Sequence, residues 1–415
     1  MHGPLHGIRV VDLSRALSGP YASLMLADAG AEVIKVERPG AGDDTRGWGP
    51  PFVGGRGVDA EGVSTDQRES AYFLSVNRSK RSVVLDLKDE DDVADLRRLI
   101  VDADVLVENF RPGVMGRLGL GADTLQELND RLIVLSITGF GEGGPDGHRS
   151  GFDQIIQGEA GLMGITGQVG GEPTKFGVPI TDILAGMFGA HGVVAALFDR
   201  ERTGKGQRVT TSLLAAAVGV HTFQGTRWTL GGEVPRPGGN HHATIAPYGA
   251  FTCADGYVNV AVGSDGLWGR FAPLVGIAVD DPRFASNADR VANREDLADR
   301  IDAALVGDTV DVWMARFDGA GVPAGRIRTM DQVYGWEQLE HLELIDRVTH
   351  PTAGDLELPG APVRWSRSGR RPAEPPPTLG QHTDEILHGG EPVDPGETVD
   401  PSETVDPGET VHPDS

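Results

Sequence analysis

A regular exchange of short apolar strands and helices through the first half of the chain constrains its fold more than any other feature. Residues 8–13, Ile-Arg-Val-Val-Asp-Leu, read as a buried strand. Ser18-Gly19-Pro20 then opens a helix, because proline suits a first helical turn, and Gly30 supplies the stop. Residues 32–37, Glu-Val-Ile-Lys-Val-Glu, form a second strand, and 82–87, 104–107 and 132–137 fit three more. A helix fits residues 91–101 between them. Strands joined through helices pair in parallel, so this half predicts an open parallel sheet with helices on its faces.

Residues 152–163 and 183–198 read as two further helices. The second carries Ala185, Gly186, Gly189, Ala190 and Gly192, which permit close packing. The Gly/Pro-rich stretch 231–240 breaks the pattern and marks a boundary. Ala254-Asp255-Gly256 between two apolar runs signals a hairpin. The predicted organisation is a large α/β domain beginning at 1–225 and a small α+β domain at 226–326. Residues 327–390 return to complete the large domain, with the Pro-rich 372–377 as an extended strap. The tail 391–415 repeats a six-residue acidic unit and carries eight of the 24 net negative charges, with no Lys, Arg or aromatic residue. It cannot bury enough apolar surface to offset its ordering entropy, so disorder is expected.

A net charge of −24 argues against nucleic-acid or anionic-membrane binding, which needs a basic face. No run of about 18 purely apolar residues stands out, so no membrane span is expected. The single cysteine, Cys253, and an N-terminus without an apolar signal core fit a cytoplasmic enzyme.

Several local motifs fail on inspection. The first strand–helix turn, Ser14-Arg15-Ala16-Leu17-Ser18-Gly19-Pro20, lacks the glycines of a dinucleotide clasp. Arg38 stands at the end of the second strand, where open α/β sheets bind ligands. Thr203-Gly204-Lys205-Gly206 lacks the first glycine and the hydroxyl of a phosphate loop, and reads as a turn. His241-His242 has no matching ligand set, so no metal is expected. There is no Gly-x-Ser-x-Gly elbow for a serine nucleophile.

One window points to chemistry: residues 177–187, Gly-Val-Pro-Ile-Thr-Asp-Ile-Leu-Ala-Gly-Met. Asp182 follows an apolar run and opens a helix. A helix start favours negative charge and offers unpaired N–H groups. An ionised carboxylate there can attack an acyl group. Aspartate is also a preferred N-cap, and the window leaves both readings open.

Motifs along the chain then resemble the class III CoA-transferases, the group that includes formyl-CoA transferase, carnitine CoA-transferase and α-methylacyl-CoA racemase. They include Gly30-Ala31-Glu32-Val33-Ile34-Lys35-Val36-Glu37, Gly42-Asp43-Asp44-Thr45-Arg46-Gly47-Trp48 and Asn77-Arg78-Ser79-Lys80-Arg81-Ser82. Residues 104–113, Arg202-Thr203-Gly204-Lys205-Gly206-Gln207 and Leu379-Gly380-Gln381-His382-Thr383 continue the series, so the resemblance spans roughly residues 5–388. It implies a Rossmann-like α/β large domain with a smaller α+β domain, in a homodimer of interlocked open rings. It makes Asp182 the catalytic residue. It assigns the CoA site to Ser18, Arg38, Leu85, Lys88, Asn109, Phe110, Arg111 and Arg117, with Phe152 and Asp153 beside them. The implied substrates are an acyl-CoA thioester and a free carboxylic acid, with no tightly bound cofactor.

Two departures argue against formyl-CoA as substrate. Leu17 stands where formyl-CoA transferase has a glutamine, and Gly238-Gly239-Asn240 is the nearest candidate for its glycine-rich loop. The racemases place a histidine in a Gly-His-Asp motif, which here reads Gly151-Phe152-Asp153. Racemisation needs two acid/base groups, and a phenyl ring cannot move a proton. Transfer is therefore the favoured reading, with Asp153 as the remaining candidate for a second base. A racemase and a non-catalytic CoA-binding homologue are the alternatives.

Overall fold

A computed structural model describes residues 2–58, 64–66 and 68–389. The acidic repeat at 391–415 lies outside the described residues. The chain divides into two compact units. The larger comprises Met1–Ser150, Ile183–Ser212 and Ile345–Ser415, and the smaller Gly151–Asp182 and Leu213–Leu344. The smaller unit thus extends beyond residues 226–326. It takes in 151–182 because that stretch packs within the unit, for example through the His221 ring against the Ala160 carbonyl at 2.9 Å.

The larger unit is built on β1 (Arg9–Asp12), α1 (Ser18–Asp28), β2 (Glu32–Glu37), β3 (Lys80–Val84), α2 (Glu90–Val101), β4 (Val105–Glu108) and β5 (Ile133–Thr138). In the smaller unit α3 (Asp153–Glu159) follows; α4 (Ile180–Thr203) crosses the division between Asp182 and Ile183 and leads into β6 (Arg208–Ser212). The strand order is β6-β5-β4-β1-β2-β3, with every neighbouring pair parallel. Val11 of β1 lies between Ile34 and Leu106 and is fully buried. The four central strands, β5, β4, β1 and β2, are buried along nearly their whole length, as in a sheet covered on both faces. The chain moves outward from β1 to β3, then returns to the other side of β1 as β4. The loops leaving β1 and β4 diverge there, and open α/β sheets bind ligands at such a switch point.

Small residues let α4 press onto its neighbours. A Cβ on Gly186 would come within 2.7 Å of the Ser18 carbonyl oxygen, and one on Gly192 within 2.7 Å of Val209. The expectation of no segment fit to span a membrane needs correcting, because α4 is long and apolar enough by length and composition. One face of it is buried, at Ala185, Ala190, Val193 and Ala196, and the buried Arg200 is bonded to Asp104 at 2.7 Å. Gly204, in the left-handed region, ends α4 with its N–H on the Arg200 carbonyl, so Thr203–Gly206 is a turn and not a phosphate loop.

The C-terminal segment covers the open edge of β3. The Ser82 N–H donates to His382 Nδ1 at 3.1 Å and the His382 N–H to the Ser82 carbonyl at 2.9 Å, while Val84 donates to the Thr383 hydroxyl. The Pro-rich strap is tied by Glu374 to Ser79 and by Pro377 to Arg46.

The smaller unit holds an antiparallel hairpin, β7 (Tyr248–Cys253) and β8 (Gly256–Ala261), with Cys253 opposite Gly256 across the two-residue turn Ala254-Asp255. A short strand, β9 (Ala324–Arg326), extends it. Its core is aromatic: Phe251, Trp268, Phe271, Phe284, Trp313 and Phe317 are all buried. The single helix expected over 152–163 is two, because Gly161 at φ +78° breaks it.

Candidate active site

At the switch point, the backbone of three consecutive residues after β1 is held by side chains. The Lys35 ammonium donates to the Ser14 carbonyl at 2.9 Å. Asn109, just past β4, accepts from the Arg15 N–H at 2.9 Å and donates to the Arg15 carbonyl at 2.7 Å. Asp43 accepts the Ala16 N–H at 3.3 Å. Ala16 has φ +63°, a left-handed conformation costly for a residue with a Cβ, and the surrounding bonds hold it there. Gly19 is required as well, since a Cβ would lie 2.2 Å from that of Ser14.

Beneath the turn lies a buried ionic cluster. Lys35 pairs with Asp43 at 2.8 Å, and Lys80 with Asp12 at 3.3 Å, all essentially without exposure. Burial opposes charge on Lys35, but Asp43, Asp12 and Glu37 outweigh it and push its pKa up. Burial likewise works against the Asp43 carboxylate, yet Lys35 and the Thr45 hydrogen bonds hold it down at about 2. Burial brings Lys80 down to about 8, only partly offset by Asp12. Glu37 accepts from Arg46 and from the Ser82 hydroxyl, and Arg46 lies 3.6 Å from the Phe73 ring centroid. Several of the charged residues in the recognisable motifs are therefore fold-bearing.

The residues expected to hold CoA divide by what they touch. Ser18, Arg38, Leu85, Lys88, Asn109, Phe110, Arg111 and Arg117 all follow the carboxyl ends of β1, β2, β3 or β4. Lys88, Arg111 and Arg117 are exposed. Arg38 pairs with Asp44 at 2.5 Å, both half-exposed. Leu85 is 1% exposed and lies in the core. Asn109 clamps the Arg15 backbone, and its amide also reaches the Ser18 hydroxyl at 3.5 Å. Glu108 pins the start of the 109–117 loop by accepting the Phe110 N–H at 2.8 Å; burial pushes its pKa up. The first turn of α1 has neither an acidic residue nor a side-chain cap, leaving its N–H groups for an anion.

In the smaller unit, Asp153 does what a cap would do for α4. Its Oδ1 accepts the Thr181 N–H and the Thr181 hydroxyl, each at 2.9 Å. Its Oδ2 accepts the Gln157 amide at 2.7 Å, and Gln157 in turn accepts the Phe176 N–H. Asp182 is half-buried within the first turn of α4, which starts at Ile180, so it is not the N-cap. Phe152 is 63% exposed. Gly239 donates to the Gly167 carbonyl at 3.0 Å, and His242 stacks between Phe223 and Tyr248. The ionic cluster and the hold of Asn109 on the Arg15 backbone were not foreseen. The visible signal of the cluster was Lys35 amid the apolar residues of β2 and Lys80 at the start of β3.

The larger unit is thus a doubly wound parallel sheet with cationic loops at its carboxyl edge, the place where open α/β sheets bind ligands. The sequence pattern of CoA-transferase family III matches residues 5–383, and the chain belongs to that family. It is 39% identical over 386 residues to succinyl-CoA:glutarate CoA-transferase of Mus musculus, covering 92% of this chain and 86% of that one. It is also 39% identical to succinate–glutarate CoA-transferase of Agrobacterium fabrum, over 92% of this chain and 95% of that one. The crystal structure of a CAIB/BAIF family protein from Brucella suis aligns at TM-score 0.82 and 38% identity, covering 93% of this chain and 99% of that one. The protein is a CoA-transferase that moves CoA from an acyl-CoA to a carboxylic acid.

Proposed function

We propose that Asp182 is the nucleophile and that the transferred acids are short dicarboxylates. The ionised carboxylate attacks the thioester carbonyl, giving an aspartyl anhydride and CoA thiolate. The thiolate attacks the aspartyl carbonyl, releasing the donor acid and leaving an aspartyl-CoA thioester. An acceptor carboxylate attacks that thioester, and the sequence runs in reverse. N–H groups at the start of α4 stabilise the oxyanions. The observation that carries this reading is that Asp153 takes over the cap of α4, so Asp182 is not needed for it. CoA is held by Ser18, Arg38, Lys88, Asn109, Phe110, Arg111 and Arg117, with the Leu85 contribution limited to its backbone. The dicarboxylate preference rests on the names of the relatives, which act on succinate and glutarate.

The racemase alternative is disfavoured because Phe152 cannot carry a proton and both Asp153 oxygens already accept hydrogen bonds. We also assign an interlocked homodimer, supported by exposed Met187, Phe188, Val194 and Phe198 on α4.

Asp182→Ala should lower transfer by more than about 10³-fold with the fold intact. Hydroxylamine should trap the parent at Asp182 in the presence of donor. Activity of the variant within about tenfold of the parent rejects the assignment. Rapid α-hydrogen exchange of a 2-methylacyl-CoA in deuterated water, without acid exchange, favours the racemase.

A further inference from the structure

We infer that Arg15 binds the distal carboxylate of the dicarboxylic acid and so sets the acid specificity of the enzyme. The inference rests on the dicarboxylate reading above and adds the residue that enforces it. Arg15 sits in the turn after β1, at the switch point where the loops from β1 and β4 part. Its backbone is fixed on both sides by Asn109, and the next residue is held at positive φ. A side chain on so constrained a backbone is presented in a fixed direction, the condition for a specific ligand contact.

Arg15 as a residue is half-buried. Its recorded side-chain contact is the face of Phe110, 5.6 Å from the ring centroid. That contact with a ring uses none of the guanidinium N–H donors as hydrogen bonds and leaves them for a carboxylate. Four less exposed arginines of this unit have acids already, whereas Arg111 and Arg117 are exposed to solvent. Arg38 pairs with Asp44, Arg46 with Glu37, Arg78 with Asp28 and Arg81 with Glu385. Among the described residues no carboxylate pairs with Arg15. A half-buried arginine without an acid is costly, and an anionic ligand group removes that cost.

Two anionic groups come with the substrates: the phosphates of CoA and the second carboxylate of the acid. Exposed Lys88, Arg111 and Arg117 suit phosphates, which keep much of their water. A single half-buried arginine backed by an aromatic ring suits a planar carboxylate taken edge-on. Arg15 is also two residues from Leu17, whose side chain packs in a core cluster with Leu24, Val76 and Ile183 of α4, the residue after Asp182.

The test uses the full-length enzyme and its Arg15→Gln and Arg15→Lys variants. Transfer is measured from acetyl-CoA to succinate, glutarate, propionate and butyrate, with CoA affinity measured by calorimetry. For Arg15→Gln the KM for succinate and glutarate should rise about 10- to 100-fold, the range for loss of a charge-assisted bond. Propionate and butyrate turnover and CoA affinity should stay within about threefold. Arg15→Lys should fall between the parent and Arg15→Gln for the dicarboxylates, and it keeps the test available if Arg15→Gln does not fold. Equal losses for mono- and dicarboxylates together with weaker CoA binding overturn the inference in favour of a phosphate contact. No change with any acid overturns it too, as does a parent that uses both classes of acid equally. Hydroxylamine trapping at Asp182 is read separately, so failure of the nucleophile assignment is distinguishable from failure of this one.

Discussion

The larger unit buries ions beneath the carboxyl edge of its sheet, whereas the smaller unit buries aromatic rings. Asp12, Lys35, Lys80 and Glu37 are almost wholly inaccessible in the first. The second packs Trp313 on Phe317 and Phe317 on Phe271, and its most deeply buried charge, Arg290, is spent on the Ala246 and Phe284 carbonyls and on Asp265. Buried ion pairs are poor value as stability, because desolvation offsets most of their attraction. Their use here is directional. Lys35 and Asp43 fix the backbone of Ser14 and Ala16 on either side of Arg15, which apolar packing alone does not specify. The difference teaches that the unit with the ligand-binding edge spends stability on geometry, and the other spends its side chains on cohesion.

The strongest way to break this comparison is to orphan one buried ion. Asp43→Ala leaves the Lys35 ammonium without its partner and removes the acceptor of the Ala16 N–H. It should cost about 3–5 kcal/mol in urea unfolding. Transfer should fall even at temperatures where the variant remains folded, because the turn loses its hold. A loss below about 1 kcal/mol would show that the cluster is not integral to the fold.

Acid sharpens the contrast next. His350 is buried in the larger unit with Nδ1 accepting the Thr352 and Ala353 N–H groups, and burial, with Arg46 nearby, pushes its pKa down to about 4. The folded state then binds fewer protons than the unfolded one between that value and about 6.5. Its stability is therefore full above about pH 6.5 and is lost as pH falls towards 4. Asp43, held at about 2, extends the loss at lower pH still, from about 4 downward. Unfolding followed from pH 7 to pH 4 should show this slope, and His350→Leu should flatten it. An unchanged slope in the variant assigns the acid sensitivity elsewhere.

The smallest effect belongs to the aromatic unit. Ile301, fully buried in its core, tolerates loss of one methyl: Ile301→Val should cost about 0.5–1.5 kcal/mol and leave transfer unchanged. A specific loss of transfer, beyond the fraction unfolded, would erase the division of labour between the units.

Much of the fold was legible because it rests on local chemistry. Strand–helix alternation, Pro20 in a first turn, Gly30 at positive φ and the Ala254-Asp255 hairpin each depend on neighbours a few residues away. Asp182 at a helix start was legible for the same reason. The start itself was not, because α4 is capped by Asp153, 28 residues earlier. Leu85 shows the opposite limit: the resemblance placed it at the ligand, and the structure puts its side chain in the core.

The sequence by itself determined the element types, the parallel sheet and a carboxylate at the start of a small-residue helix, since period, turn residues and caps act over short spans. Only the tertiary structure decided that β4 returns beside β1. That placement brings Asn109 onto the Arg15 backbone across 94 residues and Phe110 beside the Arg15 guanidinium. The worth of a buried charge depends on every group around it, and those groups assemble only when the chain has folded.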